Sequence, residues 1–118
     1  AGWGRIVNIA STAAHMGAAG YAAYCSSKAA VVALSKVAAI EGAPHGINCV
    51  SISPTWIETP MMDGAVKRGM SKDWIASQNP QNRLVQPEEV ATLVAFCCSD
   101  ASPALTNEDI KVNAGAEW

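Results

Sequence analysis

Charge is scarce in this sequence. Asp, Glu, Lys and Arg make up 15% of the 118 residues, and eight basic against ten acidic side chains leave a net charge of -2. With no basic excess, and with basic residues scattered singly apart from Lys67-Arg68, a surface that tracks phosphates has no support and nucleic acid is not expected as a partner. Histidine is limited to His15 and His45, and the four cysteines, Cys25, Cys49, Cys97 and Cys98, form neither a C-x-x-C pair nor a spaced framework. No metal centre or disulfide scaffold is expected, and the cysteines read as buried free thiols. Long hydrophobic runs are missing as well. Residues 6–27 carry no charge but are broken by Asn8, Ser11, Thr12, His15, Gly17, Gly20, Ser26 and Ser27, so this stretch does not read as a membrane span. No basic segment followed by an apolar one opens the chain, and the expected compartment is the cytoplasm.

What is present is apolar material, 50% of the residues, which is enough for one compact domain. Arg5-Ile-Val-Asn-Ile-Ala10 is a β-branched run ending in Ser11-Thr12 and reads as a buried strand. His15 to Gly20, with two glycines and no periodicity, is predicted to be a loop over the carboxyl end of that strand. From Tyr21 to Ile40 an alanine-rich helix is expected, with Val31, Val32, Leu34, Val37 and Ile40 spread around most of its circumference, so that it is buried on more than one side. Gly42-Ala43-Pro44 stops it. Ile47 to Ser53 is a second strand closed by Pro54. Residues 60–82 mix Met61, Met62, Met70 and Trp74 with charges and glycines and read as a mobile, partly helical flap. Gln86-Pro87-Glu88-Glu89 starts a helix with Val90, Leu93, Val94 and Cys97 at i, i+3, i+4, i+7, and Ile110 to Asn113 is a third strand. Crossovers of this length predict an α/β fold with parallel pairing.

One constellation carries chemistry. Tyr24 and Lys28 lie four apart at the start of the alanine-rich helix and share a face. A cation beside a phenol favours the phenolate, which suits a general acid or base. Ser11, at the end of the first strand, can present a hydroxyl to the same space. Singly, each residue is more often a packing, solvated or turn residue; the combination is far more specific.

These segments resemble the short-chain dehydrogenase/reductase family. Gly4-Arg-Ile-Val-Asn-Ile-Ala-Ser11 is similar to its catalytic-serine strand and Tyr21-Ala-Ala-Tyr-Cys-Ser-Ser-Lys28 to its catalytic helix. Ile52-Ser-Pro-Thr-Trp-Ile-Glu-Thr-Pro-Met61 looks like the loop that wraps the nicotinamide, and Pro87-Glu-Glu-Val-Ala91 resembles the late helix. The resemblance implies a Rossmann-like α/β domain, the C-terminal half of a doubly wound parallel sheet with about three strands and flanking helices. Residues 1–118 would form a single partial catalytic domain, with 60–82 as a substrate-covering flap. It implies Ser11, Tyr24 and Lys28 as catalytic residues, with Tyr24 exchanging the proton, Ser11 polarising the substrate oxygen and Lys28 also binding the ribose. NAD or NADP would be bound by Tyr24, Lys28, Pro54, Thr55, Ile57 and Thr59, and Met61, Met62 and Trp74 would cover a small alcohol or carbonyl substrate.

The sequence departs from the family pattern at several points. No G-x-G-x-x-G follows a strand, so most of the usual pyrophosphate site is missing from these residues. Thr55 stands where the family usually has glycine, and Asn113-Ala114-Gly115 where it has Asp-Gly-Gly. A half-length domain would leave a strand edge and an apolar helix uncovered, which predicts a homo-oligomer through the Tyr24–Ile40 helix. Two functions follow: an NAD(P)-dependent oxidoreductase interconverting a secondary alcohol and a ketone, or a truncated, non-catalytic fragment that self-associates or serves as an interaction module.

Overall fold

A computed structural model describes residues 2–117. Its strands are β1 (Gly4–Ile9), β2 (Ile47–Pro54) and β3 (Asp109–Val112). Among the described residues they form one sheet in the order β1-β2-β3, parallel throughout, with Gly4 opposite Ile47 and Ser51 opposite Asp109. The helices are α1 (Ala22–Gly42), α2 (Pro60–Lys67), α3 (Lys72–Ser77) and α4 (Pro87–Cys98). The observed α/β architecture with long crossovers is the one expected from the order of apolar segments.

The central strand shows why the layers form. From Cys49 to Pro54 every residue of β2 is buried, because alternate side chains enter opposite layers. On one side Ile52 packs with Val85, Val90 and Ala114, and Val7, Leu93 and Val94 close the cluster, so the i, i+3, i+4 stripe of α4 lies on this face. On the other side Asn8 donates to Ser35 Oγ at 2.9 Å, which fixes α1 over the sheet. Ser35, Ala39 and Gly42 are the buried residues of α1.

Helix α1 runs two residues beyond the expected Ile40. Its end is set by Pro44 at the start of a 3-10 turn (Ala43–His45), followed by left-handed Gly46 at φ 73°. A Cβ on Gly46 would lie 2.2 Å from the Gly2 carbonyl oxygen, so only glycine allows β1 and β2 to begin side by side. The expectation that α1 is buried on more than one side is not met within this chain: Leu34 and Ile40 are each 65% exposed and Val37 49%. By length and composition the segment Ala22–His45 is apolar enough to cross a membrane, yet its inner face lies on the sheet through Ser35.

One further expectation needs correction. The cysteines are free, but only Cys49 and Cys97 are buried; Cys25 is intermediate and Cys98 exposed. Successive helical residues point about 100° apart, so Cys97 turns inward and its neighbour turns out. Residues 60–82 are partly helical, as expected. Helices α2 and α3 enclose their own core, in which Met62 and Ile75 are fully buried with Leu84, and Trp56 and Met70 pack against them. Proline at the first position of α2 and the Ser71 hydroxyl accepting the Trp74 N–H at α3 define their starts.

Candidate active site

The site is assembled at the carboxyl ends of β1 and β2. There Ala10 donates its N–H to the Ile52 carbonyl at 2.7 Å, keeping the strands in register to their last residues. Ser11 follows as the cap of a 3-10 turn (Thr12–His15), its hydroxyl oxygen accepting the Ala13 N–H at 3.1 Å. That bond uses a lone pair and leaves the Ser11 proton available to a ligand oxygen.

Tyr24 and Lys28 sit in the first two turns of α1. Lys28 Nζ donates to the Ile9 carbonyl at 3.2 Å and stands 5.9 Å from the centroid of the Tyr24 ring. A single lysine therefore reaches the end of the serine-bearing strand and the tyrosine on its own helix. Tyr24 is 38% exposed, and its open side faces a cavity of about 740 Å³ that is also lined by Ser11 and Lys28.

The opposite wall comes from the segment after β2. Thr55 donates its N–H to the Val112 carbonyl at 3.0 Å, Glu58 to Val85, and Val85 to the Trp56 carbonyl. The loop is thus hydrogen-bonded on both sides and presents Pro54, Thr55, Ile57 and Thr59 to the cavity. Thr55 is not among the residues with positive φ, so threonine takes this position without the strain that a left-handed backbone would impose. Its Oγ1 is buried and has no hydrogen-bond partner, an arrangement that costs free energy unless a ligand supplies one.

Helices α2 and α3 form a third wall, with Met61, Met62 and Trp74 all lining the cavity. Met61 and Trp74 are exposed, whereas Met62 is fully buried and supports that wall from within. Lys72 pairs with Glu58, and Gln86 Nε2 donates to the other Glu58 oxygen at 3.0 Å, tying these helices to the segment after β2. The Lys72 hydrogen bond, followed by that of Gln86, holds the Glu58 carboxyl below its ordinary range.

All ten residues proposed for the site from sequence thus line one cavity. Sequence reasoning missed others outside residues 60–82, among them Met16, Tyr21 and Cys25. The signal for Tyr21 and Cys25 was available: they lie at i−3 and i+1 from Tyr24, and with Lys28 complete an i, i+3, i+4, i+7 stripe. A second missed feature is the network behind the site. His15 Nε2 lies 2.6 Å from Asp109 Oδ2, and the same carboxylate accepts from Ser51 Oγ at 2.5 Å and Ser53 Oγ at 2.9 Å. It pins the turn carrying Ser11 to β3.

The donor set fits the nicotinamide end of a dinucleotide. An unpartnered threonine hydroxyl can meet a carboxamide, a lysine can meet ribose hydroxyls, and the cavity has the size of a small-molecule site. Among the described residues no cluster of three or more His, Cys, Asp or Glu could hold a metal ion.

Comparison with known proteins gives the same picture. Residues 1–117 match a family described as "Enoyl-(Acyl carrier protein) reductase". The chain is 40% identical over 114 residues to an NAD-dependent glycerol dehydrogenase of Listeria innocua, covering 97% of this chain and 44% of that protein. It is 38% identical over 114 residues to (3R)-3-hydroxyacyl-CoA dehydrogenase of Rattus norvegicus, covering 97% and 43% respectively. Its structure superimposes on a variant of actinorhodin polyketide ketoreductase solved with NADPH at a TM-score of 0.92, with 35% identity, over 99% of this chain and 49% of that one. The chain spans a little under half the length of the curated relatives it matches. With a family match running along nearly its whole length and a Rossmann-like half-sheet beneath it, the chain belongs to the short-chain dehydrogenase/reductase family.

Proposed function

We propose that these residues carry the substrate-side half of an NAD(P)-dependent oxidoreductase that interconverts a secondary alcohol and a ketone. The observation that carries this reading is the convergence of Ser11, Tyr24 and Lys28 on one cavity, with Lys28 Nζ on the Ile9 carbonyl and beside the Tyr24 ring. The relatives' own names, a glycerol dehydrogenase and a hydroxyacyl-CoA dehydrogenase, support a hydroxyl or carbonyl as the reacting group.

In this reading the Ser11 hydroxyl donates to the substrate oxygen, fixing it and drawing charge onto it. Tyr24 passes its proton to that oxygen in the reductive direction and takes it back in the oxidative one. Lys28, with its Nζ beside the Tyr24 ring and anchored on the Ile9 carbonyl, is placed to orient that ring and to hold ribose hydroxyls. Thr55, Ile57 and Thr59 hold the carboxamide edge, and Met61, Met62 and Trp74 exclude water from an apolar substrate. A bound nicotinamide would supply the hydride acceptor or donor, which no side chain of this chain can provide.

The exposed outer side of α1 supports a further part of the proposal, that the chain self-associates through Tyr24–Ile40. The unpaired state of all four cysteines suits the reducing cytoplasm as the place of action.

The test is a titration of the 118-residue chain with NADH and NADPH, followed by nicotinamide fluorescence, with Lys28→Ala as control. Saturable binding that the variant loses is expected. If a folded chain binds neither nucleotide, Ser11, Tyr24 and Lys28 are without their hydride donor in these residues, and the proposal fails for them alone.

A further inference from the structure

Two charged side chains, Lys28 and Arg68, line the cavity, and both are cations; no Asp or Glu stands on its wall. Lys28 is engaged by the Ile9 carbonyl. Arg68 has no function in the reaction described above; it is exposed, like the equally unpaired Lys67 beside it, but of the two only Arg68 lies on the cavity wall. Lys72 is paired with Glu58, and Arg83 makes a two-pronged bond to Glu89 at 2.7 and 2.8 Å. Among the described residues Arg68 has neither an ion pair nor a side-chain hydrogen bond. The acids nearest in sequence do not neutralise it within the cavity: Asp63 and Asp73 lie off the wall, and both act on Lys72.

The position of Arg68 is constrained by the backbone. It caps α2, its N–H shared between the Gly64 and Ala65 carbonyls, and its side chain turns back along the helix. A Cβ on Gly64 would stand 3.5 Å from Arg68 Nη1, so the guanidinium lies over the bare backbone one turn earlier. Around it the wall is apolar: Met61, Met62, Met70 and Trp74 line the same cavity. A guanidinium with its donors unspent at an apolar cavity matches the planar oxygens of a carboxylate or phosphate.

We propose that the substrate is amphipathic, an apolar chain bearing an anionic group, and that Arg68 binds the anion while the methionines and tryptophan take the chain. The assignment rests on the reading of this cavity as the substrate site. It adds a specificity residue on that wall, separate from the residues that handle the reacting oxygen. Carboxylate and phosphate share the chemistry, and separate probes distinguish them.

The experiment follows the fluorescence of the cavity tryptophans, Trp56 and Trp74, while the chain is titrated with octanoate, octyl phosphate and octan-1-ol at low ionic strength. Arg68→Gln is the test variant, and its thermal melt shows whether it is folded. At least one anion is expected to bind about tenfold more tightly than the alcohol, in keeping with a charge-assisted hydrogen bond. That advantage should shrink with salt and disappear in Arg68→Gln, while alcohol binding is unchanged. The tighter anion identifies the head group. Equal affinity for anions and alcohol, an anion preference that survives in Arg68→Gln, or no binding of any probe overturns the proposal. These outcomes are independent of the nucleotide titration: anion recognition without nucleotide binding would leave Arg68 assigned and remove the oxidoreductase reading for these residues alone.

Discussion

Helices α1 and α4 lie on opposite faces of the same sheet, and both are rich in apolar residues, yet they end in different environments. Helix α4 places Val90, Leu93, Val94 and Cys97 on one stripe, and that stripe meets Ile52, Val85 and Ala114. Helix α1 contacts the sheet mainly through small residues, Ser35, Ala39 and Gly42, and leaves Leu34, Val37 and Ile40 in solvent. Beside it Ile6 of the edge strand β1 is also exposed. One side of the molecule is a finished core and the other is an apolar face without a cover. The residues that hold this fold together and the apolar residues left in solvent are thus separated by the thickness of the sheet.

The comparison is broken most severely on the α4 side. Ile52→Ala removes a fully buried side chain at the centre of that core and is expected to cost about 2–5 kcal/mol, measured by urea unfolding. Retention of native stability would mean that the core lies elsewhere. On the α1 side, Leu34→Glu with Ile40→Glu should leave unfolding within about 1 kcal/mol, because exposed substitutions change stability little. The same variant should move the mass seen by light scattering from an assembly to a monomer. A monomeric parent chain would remove the assigned role of that face.

A third prediction concerns the clasp at the start of α4. The two-pronged bond from Arg83, with the Gln86 N–H, lowers the Glu89 carboxyl from its ordinary value of 4.5 to about 2. A depressed folded-state value stabilises the protein above the unfolded value and is lost as pH falls through the folded one. Melting temperature should therefore fall as pH is lowered from about 4.5 to about 2, and Glu89→Gln should flatten that slope. The smallest effect is expected at Ala114, which adopts φ 49° where the family usually has glycine. Ala114→Gly relieves a left-handed alanine but deletes a buried methyl, terms of about 1 kcal/mol each, so thermal melts should differ by less than about 0.5 kcal/mol.

Much of the architecture was legible because its signals are local. The β-branched runs of β1 and β2, the proline and acids that open α4, and the Tyr24–Lys28 spacing each lie within a few residues. What escaped was set by contacts between distant segments. Asp109 gives no hint in sequence that it will collect His15, Ser51 and Ser53. Met62 and Ile75 read as parts of a methionine-rich stretch until α2 and α3 fold onto each other around Leu84. Arg68 looks like any surface cation beside Lys67 until the fold puts it on the cavity wall.

The pairing pattern of the sheet bears on how the chain reaches this state. Gly4 must find Ile47 and Ser51 must find Asp109, so every ladder closes a long loop and no hairpin is available as a local nucleus. Such topologies fold slowly for their size. The alanine-rich α1 can form on its own far sooner than the strands can pair, and its apolar outer side then remains open throughout the search. Aggregation during refolding is accordingly expected to start from that helix, and to grow with protein concentration rather than with the instability of the finished fold.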